Sequence, residues 1–109
     1  MNYNLNAIII LKIFEIDLEE GLLMNYCDKF KALSDPIRLD ILDELSNGEL
    51  SAGDIASRFS LSHSKVSYHL SILKKANMIL ERKYKNYIFY GLNKEGIEEA
   101  LRWFDKFLK

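Results

Sequence analysis

The chain has little of several residue types, and each shortage excludes a class of protein. It has one cysteine among 109 residues, which excludes an internal disulfide framework and suits a reducing compartment. The longest apolar run, residues 7–14, is broken by Lys12 and is far too short to span a bilayer. It also lacks a basic leader and a small-residue cleavage site. We therefore expect a single cytoplasmic domain with no membrane-spanning segment.

Motifs of catalysis are also missing. The sequence contains no glycine-rich phosphate loop, no nucleophile beside a base and no paired acids placed around a cleft. An active site needs at least one of these arrangements or a cofactor. The chain is therefore predicted not to be an enzyme.

Charge is unevenly distributed, although the formal net charge is only −1. Residues 1–24 hold one lysine against four acids, a net charge of −3. Residues 62–90 hold six lysines and arginines against Glu81 alone, a net charge of +5. A basic segment of this kind is the electrostatic footprint of a nucleic-acid-binding surface.

Residues 1–24 form an N-terminal extension to the domain predicted at residues 25–109, and two interpretations fit them. The run Glu19-Glu20-Gly21 can be encoded by a purine-rich ribosome-binding sequence, and Met24 follows closely. Residues 1–23 would then be an upstream extension in the gene model rather than native protein. Alternatively, the segment adds a helix to a dimer interface.

The rest of the chain predicts a mainly α fold with a small β-hairpin (α+β), in the order αααα-ββ-α. Capping residues stand before apolar stripes of helical period. The segments 79–84 and 87–92 are β-branched and aromatic, and they flank Lys85-Asn86, which predicts a hairpin with Asn86 at positive φ. The predicted helices run from Tyr26 to Leu33, from Pro36 to about Asn47, from Asp54 to Phe59, from the Ser62 cap to about Ala76, and onward from the Asn93 cap. A short helix, a tight turn, a longer helix and a basic hairpin make a winged helix-turn-helix.

The fourth helix carries the predicted recognition surface. Val66, Leu70 and Leu73 repeat at core spacing, and hydroxyls, a phenol and a cation occupy the opposite side, with no acid from Ser60 to Met78. Such side chains can hydrogen-bond base edges and phosphates in a major groove. The alternative is an ordinary solvated face. The predicted DNA-binding residues of this helix are His63, Ser64, Lys65, Ser67, Tyr68, Ser71 and Lys75.

The hairpin adds a second basic surface. Arg82, Lys83 and Lys85, with Tyr84, are predicted to grip the DNA backbone or to enter the minor groove. The alternative is an edge hairpin that lysines protect from aggregation.

The last helix has a wide apolar stripe, with more aromatic surface than a small monomer needs. A two-fold interface with the first helix would bury it and present two recognition helices to successive major grooves. Packing within one monomer is the alternative. The predicted interface residues are Tyr26, Phe30, Ile97, Leu101, Phe104 and Leu108.

Three stretches resemble the ArsR/SmtB family of bacterial repressors: ALSDPIRLDIL at residues 32–42, VSYHLSIL at 66–73 and YIFY at 87–90. The resemblance covers residues 26–109. It implies a homodimeric winged-helix repressor that binds double-stranded DNA at an inverted repeat in a promoter, often its own.

The resemblance also raises the question of a metal. Many members carry a Cys-x-Cys pair where this chain has ELSAGD at residues 49–54, so Ser51 and Gly53 replace both thiolates. Other members place ligands along the last helix, but residues 95–109 contain no histidine. The departure implies the metal-independent branch, which includes autorepressors controlled by a sequestering protein partner. No metal and no cofactor are therefore expected.

Other candidate ligands have ordinary explanations. Cys27 is predicted to be a packed or inert thiol, His63 to be exposed, and His69 to be a partly buried positioning residue. The acids of the last helix form surface pairs at i, i+4. Two alternatives to a metal-independent repressor stay open: a repressor of the same fold with a ligand or redox trigger, through Cys27 or a dimer-interface pocket, and a winged-helix protein-interaction module.

Overall fold

The computed structural model describes residue 6 and residues 18–109. Most of the predicted extension at residues 1–24, namely residues 1–5 and 7–17, therefore lies outside the described residues. None of the described helices is long and apolar enough to cross a bilayer. The elements are α1 (Leu18–Ala32), α2 (Pro36–Leu45), β1 (Leu50–Ser51), α3 (Ala52–Phe59), α4 (His63–Lys75), β2 (Ile79–Tyr84), β3 (Tyr87–Leu92) and α5 (Lys94–Asp105).

Side-chain caps start three of the helices where the sequence predicts them. The carboxylate of Asp35 accepts a hydrogen bond from a backbone N–H of α2 at 3.1 Å, and the hydroxyl of Ser62 does the same for α4 at 3.2 Å. Ser51 and Asp54 form a reciprocal capping box on α3. The hydrogen bonds from Ser51 hold the pKa of Asp54 below its ordinary value of 3.8.

Three local predictions are wrong, and in addition α3 begins at Ala52 rather than at the predicted Asp54. The first helix begins at Leu18 rather than at Tyr26. The earlier start was missed because the residues before Tyr26 lack an apolar stripe of helical period. Asn93 stands at the N-cap of α5 but makes no side-chain cap; only its carbonyl accepts a bond, from the N–H of Ile97 at 3.1 Å. In the hairpin turn the positive φ of 55° falls on Lys85 and not on Asn86.

The hairpin has the predicted bounds, and the sheet gains a strand. Its order is β1-β3-β2, with both pairings antiparallel. The added strand β1 is only two residues long, and it pairs Leu50 with Tyr90 and Ser51 with Phe89. It pairs with the middle of β3, so the chain segment that leads into α3 is hydrogen-bonded to the wing.

The core lies where the apolar periodicity predicts it. Val66, Leu70 and Leu73 of α4 are buried and pack with residues such as Ile41 of α2 and Ile55 of α3. The predicted winged helix-turn-helix is confirmed, with α3 and α4 joined by a tight turn at residues 60–62.

Candidate nucleic-acid interface

Burying the apolar stripe of α4 leaves its other face open to solvent. The seven residues predicted to bind DNA on this helix are all exposed, and Tyr68 is 59% exposed. The turn before the helix is made by Ser60, whose φ of 53° is left-handed. This conformation lets α3 end and α4 begin within three residues, and the first residues of α4, His63, Ser64 and Lys65, are exposed.

One of these residues has part of its hydrogen-bonding capacity in use. The Ser71 hydroxyl donates to the carbonyl oxygen of Tyr68 at 2.8 Å, one turn earlier in α4. Its lone pairs remain available, so in this rotamer Ser71 can accept hydrogen bonds from a base but cannot donate to one.

A buried guanidinium supports α4 from behind. Arg38 of α2 donates from Nε to the carbonyl of Ala32 at 2.8 Å and from Nη2 to the carbonyl of Lys31 at 3.1 Å. Its Nη1 lies 3.3 Å from Nδ1 of His69 in α4. Arg38 therefore joins the end of α1, the start of α2 and the middle of α4. The sequence does not indicate this role, because an arginine in the first turn of a helix is normally exposed.

His69 is buried, with 6% of its surface exposed, and therefore lies deeper than the partly buried position predicted for it. Burial holds its pKa below the ordinary 6.5; the Asp35 carboxylate opposes this shift and the Arg38 charge adds to it. The ring is therefore neutral near pH 7, and its contact with Asp35 at 3.8 Å is not an ion pair. Because arginine can only donate, Nδ1 of His69 accepts and the proton sits on Nε2.

Two of the six basic residues in the basic segment already have carboxylate partners. Lys74 lies 3.0 Å from Glu81, and Nε of Arg82 lies 3.0 Å from Glu49. The guanidinium of Arg82 also stacks over Phe89 at 5.1 Å. The partner of Arg82 is 33 residues away in sequence, so charge patterning cannot find it. Four predicted contact residues have no ion-pair partner in the part of the chain that is described: Lys65, Lys75, Lys83 and Lys85.

The residues predicted to form a dimer interface divide into two groups. Leu101 and Leu108 are 63% and 82% exposed, and Phe104 is 45% exposed. Phe30 is half-buried and packs edge-on against Phe104 at 5.4 Å, while Ile97 packs against the monomer core. Tyr26 is half-buried in α1. The α1/α5 pair thus has internal packing and an exposed apolar edge.

The remaining candidates for chemistry are few. Cys27 is predicted from the sequence to be a packed or inert thiol; it is exposed, so the packed interpretation is wrong, and α1 turns this side chain outward. No three His, Cys, Asp or Glu residues come together in a metal-holding arrangement among residue 6 and residues 18–109.

Known proteins share both this sequence pattern and this fold. A family model described as "Bacterial regulatory protein, arsR family" matches residues 35–80. The transcriptional repressor SdpR of Bacillus subtilis is 42% identical over 79 residues, which cover 72% of this chain and 88% of that protein. The arsenical resistance operon repressor of the same organism is 41% identical over 86 residues, covering 78% and 82%. The homodimeric winged helix-turn-helix DNA-binding domain of Mycobacterium bovis Mb0332 superposes with a TM-score of 0.69 at 27% identity, covering 80% of this chain and 82% of that one.

Proposed function

This chain belongs to the arsR family of bacterial regulatory proteins, and we propose that it represses transcription as a homodimer bound to an inverted-repeat DNA site, without a bound metal. The family resemblance predicted from sequence is confirmed by the matching family model and by SdpR. Proteins of this family are DNA-binding regulators and not enzymes.

The observation that carries the proposal is the open face of α4. Its exposed side chains are polar or basic. Residues 60–78 contain no acidic side chain that would repel phosphate. The lysines without ion-pair partners among the described residues lie on this helix and near the wing tip, so we expect one DNA duplex to contact both elements. Repression rather than activation is supported by the two Bacillus subtilis relatives, both named as repressors.

Metal independence is supported by the residues that stand at the two cysteine positions of metal-binding members, Ser51 and Gly53. Ser51 caps α3, and its hydroxyl and backbone N–H are both engaged with Asp54. Gly53 offers no donor atom. The start of α3 is thus built for helix capping instead of thiolate coordination.

Dimerisation is supported by the exposed apolar edge of α1/α5 and by the homodimeric Mycobacterium bovis relative. Two-fold symmetry of the protein would match two-fold symmetry of the operator, with half-sites about one helical turn apart.

The experiment is fluorescence-anisotropy binding to the DNA upstream of the gene, at two salt concentrations, with chelator and then with zinc. We expect tight, salt-sensitive binding that neither reagent changes. Tyr68→Ala and Lys65→Ala should abolish specific binding. Lys109→Ala, which removes a C-terminal lysine paired with Asp105, is the matched control and should bind normally.

Each other outcome has a distinct meaning. Release by zinc would contradict metal independence. Normal binding by both the Tyr68 and the Lys65 variants would contradict the assignment of α4 as the reading helix. If the wild-type protein binds neither the upstream DNA nor any duplex from a random library, the protein-interaction module is favoured.

A further inference from the structure

Lys29 is the most unusual charged residue in the described chain. Its side chain is completely buried, at 0% exposure, although lysine is almost never buried unless it is paired. The ammonium Nζ donates to the carbonyl oxygen of Ala76 at 2.7 Å and lies 3.5 Å from a carboxylate oxygen of Glu99. Nothing in the sequence pattern marks this residue, and the DNA-facing surface does not use it.

The two partners of Lys29 lie on different elements. Ala76 is the C-cap of α4, where unpaired carbonyls concentrate the negative end of the helix dipole. Glu99 lies on α5, and the side-chain amide of Asn25 in α1 donates to the same carboxylate oxygen at 3.3 Å. One ammonium therefore joins the end of the reading helix to both α1 and α5, the helices predicted to form the dimer.

The chain reverses direction at residues 76–78, which we call the corner, and this corner also contacts α5 and the residue before it. Asn77 follows Ala76 with a left-handed φ of 58°, and its carbonyl oxygen lies 1.6 Å from where a Cβ on Gly96 would stand. The backbone of α5 thus touches the corner directly. The N–H of Asn93 adds a hydrogen bond to the carbonyl of Met78 at 3.0 Å.

Stability alone is a poor explanation for a buried ammonium. Removing it from water carries a large free-energy cost, and replacing a whole buried ion pair by well-packed apolar residues of similar volume is often neutral or stabilising. A buried polar group can instead select one arrangement of the elements around it, because any other arrangement leaves it unpaired.

We propose that Lys29 is a positioning residue that fixes the orientation of α4 relative to the α1/α5 pair, and thereby the half-site spacing that the dimer accepts. The inference rests on the proposed function, because spacing has meaning only for a dimer with two reading helices. Without the ammonium, the C-terminal end of α4 loses its polar tie to α1 and to Glu99, and the dimer discriminates less between operators of different spacing.

The test compares Lys29→Met with the wild-type protein on duplexes of different spacing. The probe is the inverted repeat that the wild-type protein selects from a random duplex library, and the same repeat with one base pair inserted at or deleted from its centre. The wild-type protein should bind the selected spacing about tenfold more tightly than the altered ones. In Lys29→Met this ratio should fall toward one, while the dimer mass and the cooperative melt are retained.

Lys31→Met is the matched control, because Lys31 lies on the same helix and is exposed; its spacing ratio should stay at the wild-type value. Glu99→Gln keeps a hydrogen-bonding group but removes the carboxylate charge, and it should lower the ratio by a smaller factor. This variant carries the test if Lys29→Met does not fold.

An unchanged ratio in Lys29→Met, or in Glu99→Gln where the first variant is unfolded, would overturn the inference. An equal fall in Lys31→Met would do the same. A wild-type protein that is monomeric, or that shows no spacing preference, would instead overturn the proposed function.

Discussion

Replacing Gly96 by alanine tests the contact between α5 and the corner that ends α4. The added Cβ would stand 1.6 Å from the carbonyl oxygen of Asn77 and 2.7 Å from its carbonyl carbon, whereas ordinary contact begins at 3.4 Å. Both neighbours are backbone atoms, so neither can rotate away as a side chain would. Either α5 or the corner must move.

The expected size follows from two opposing effects. Alanine is favoured over glycine within a helix by about 1 kcal/mol. Forcing an extra methyl group into packed structure costs about 1–3 kcal/mol, and rigid backbone neighbours place this site at the upper end or beyond. We therefore expect Gly96→Ala to lower the free energy of unfolding by about 2 kcal/mol.

Urea denaturation followed by circular dichroism measures this difference. Gly53→Ala is the matched control, because the nearest atom to its added Cβ is the Ser51 hydroxyl at 3.8 Å. The control should be unchanged or more stable by up to about 1 kcal/mol. If Gly96→Ala proves as stable as Gly53→Ala, the close approach of α5 to the corner is wrong.

Two further predictions concern pH and salt. In the folded protein the pKa of His69 lies below its ordinary value of 6.5. At a pH between the folded and the unfolded pKa, the unfolded chain therefore binds more protons than the folded one, and the free energy of unfolding falls as the pH falls. Urea midpoints at about pH 7.5 and about pH 5.5 should therefore differ less in His69→Asn than in the wild type, and an equal difference would contradict the assignment. Lys83→Gln should reduce the slope of log affinity against log salt by about 1, whereas Arg82→Gln should reduce it less, because Glu49 already neutralises that guanidinium. Equal reductions would show that the pair with Glu49 opens on DNA.

Features set by local chemistry were predictable from the sequence. The caps at Asp35, Ser51 and Ser62 satisfy N–H groups within three residues, so the signal lies within one turn of the chain. The buried face of α4 follows from apolar spacing alone. The strand β1 was not predictable, since two residues are too few for a period and their pairing depends on the distant β3.

Features set by long-range pairing were missed. Lys29 and Arg38 look like ordinary helix-surface cations in sequence, yet both are buried, and each hydrogen-bonds a carbonyl oxygen at a helix end. Glu49 is 33 residues from its partner Arg82. Such partners become visible only when the elements are packed, so sequence reasoning overestimates the free charge of the wing.

The Arg38 guanidinium has a consequence for how the protein opens. Its bonds to the carbonyls of Lys31 and Ala32 and to the ring of His69 tie three helices to one side chain. Fraying of α1 from its N-terminal end is opposed first by the bonds of Asn25 and Lys29 to Glu99 and Ala76, and last by Arg38, which holds the final turn. We therefore expect the end of α1, the start of α2 and the middle of α4 to exchange their amide hydrogens as one cooperative unit.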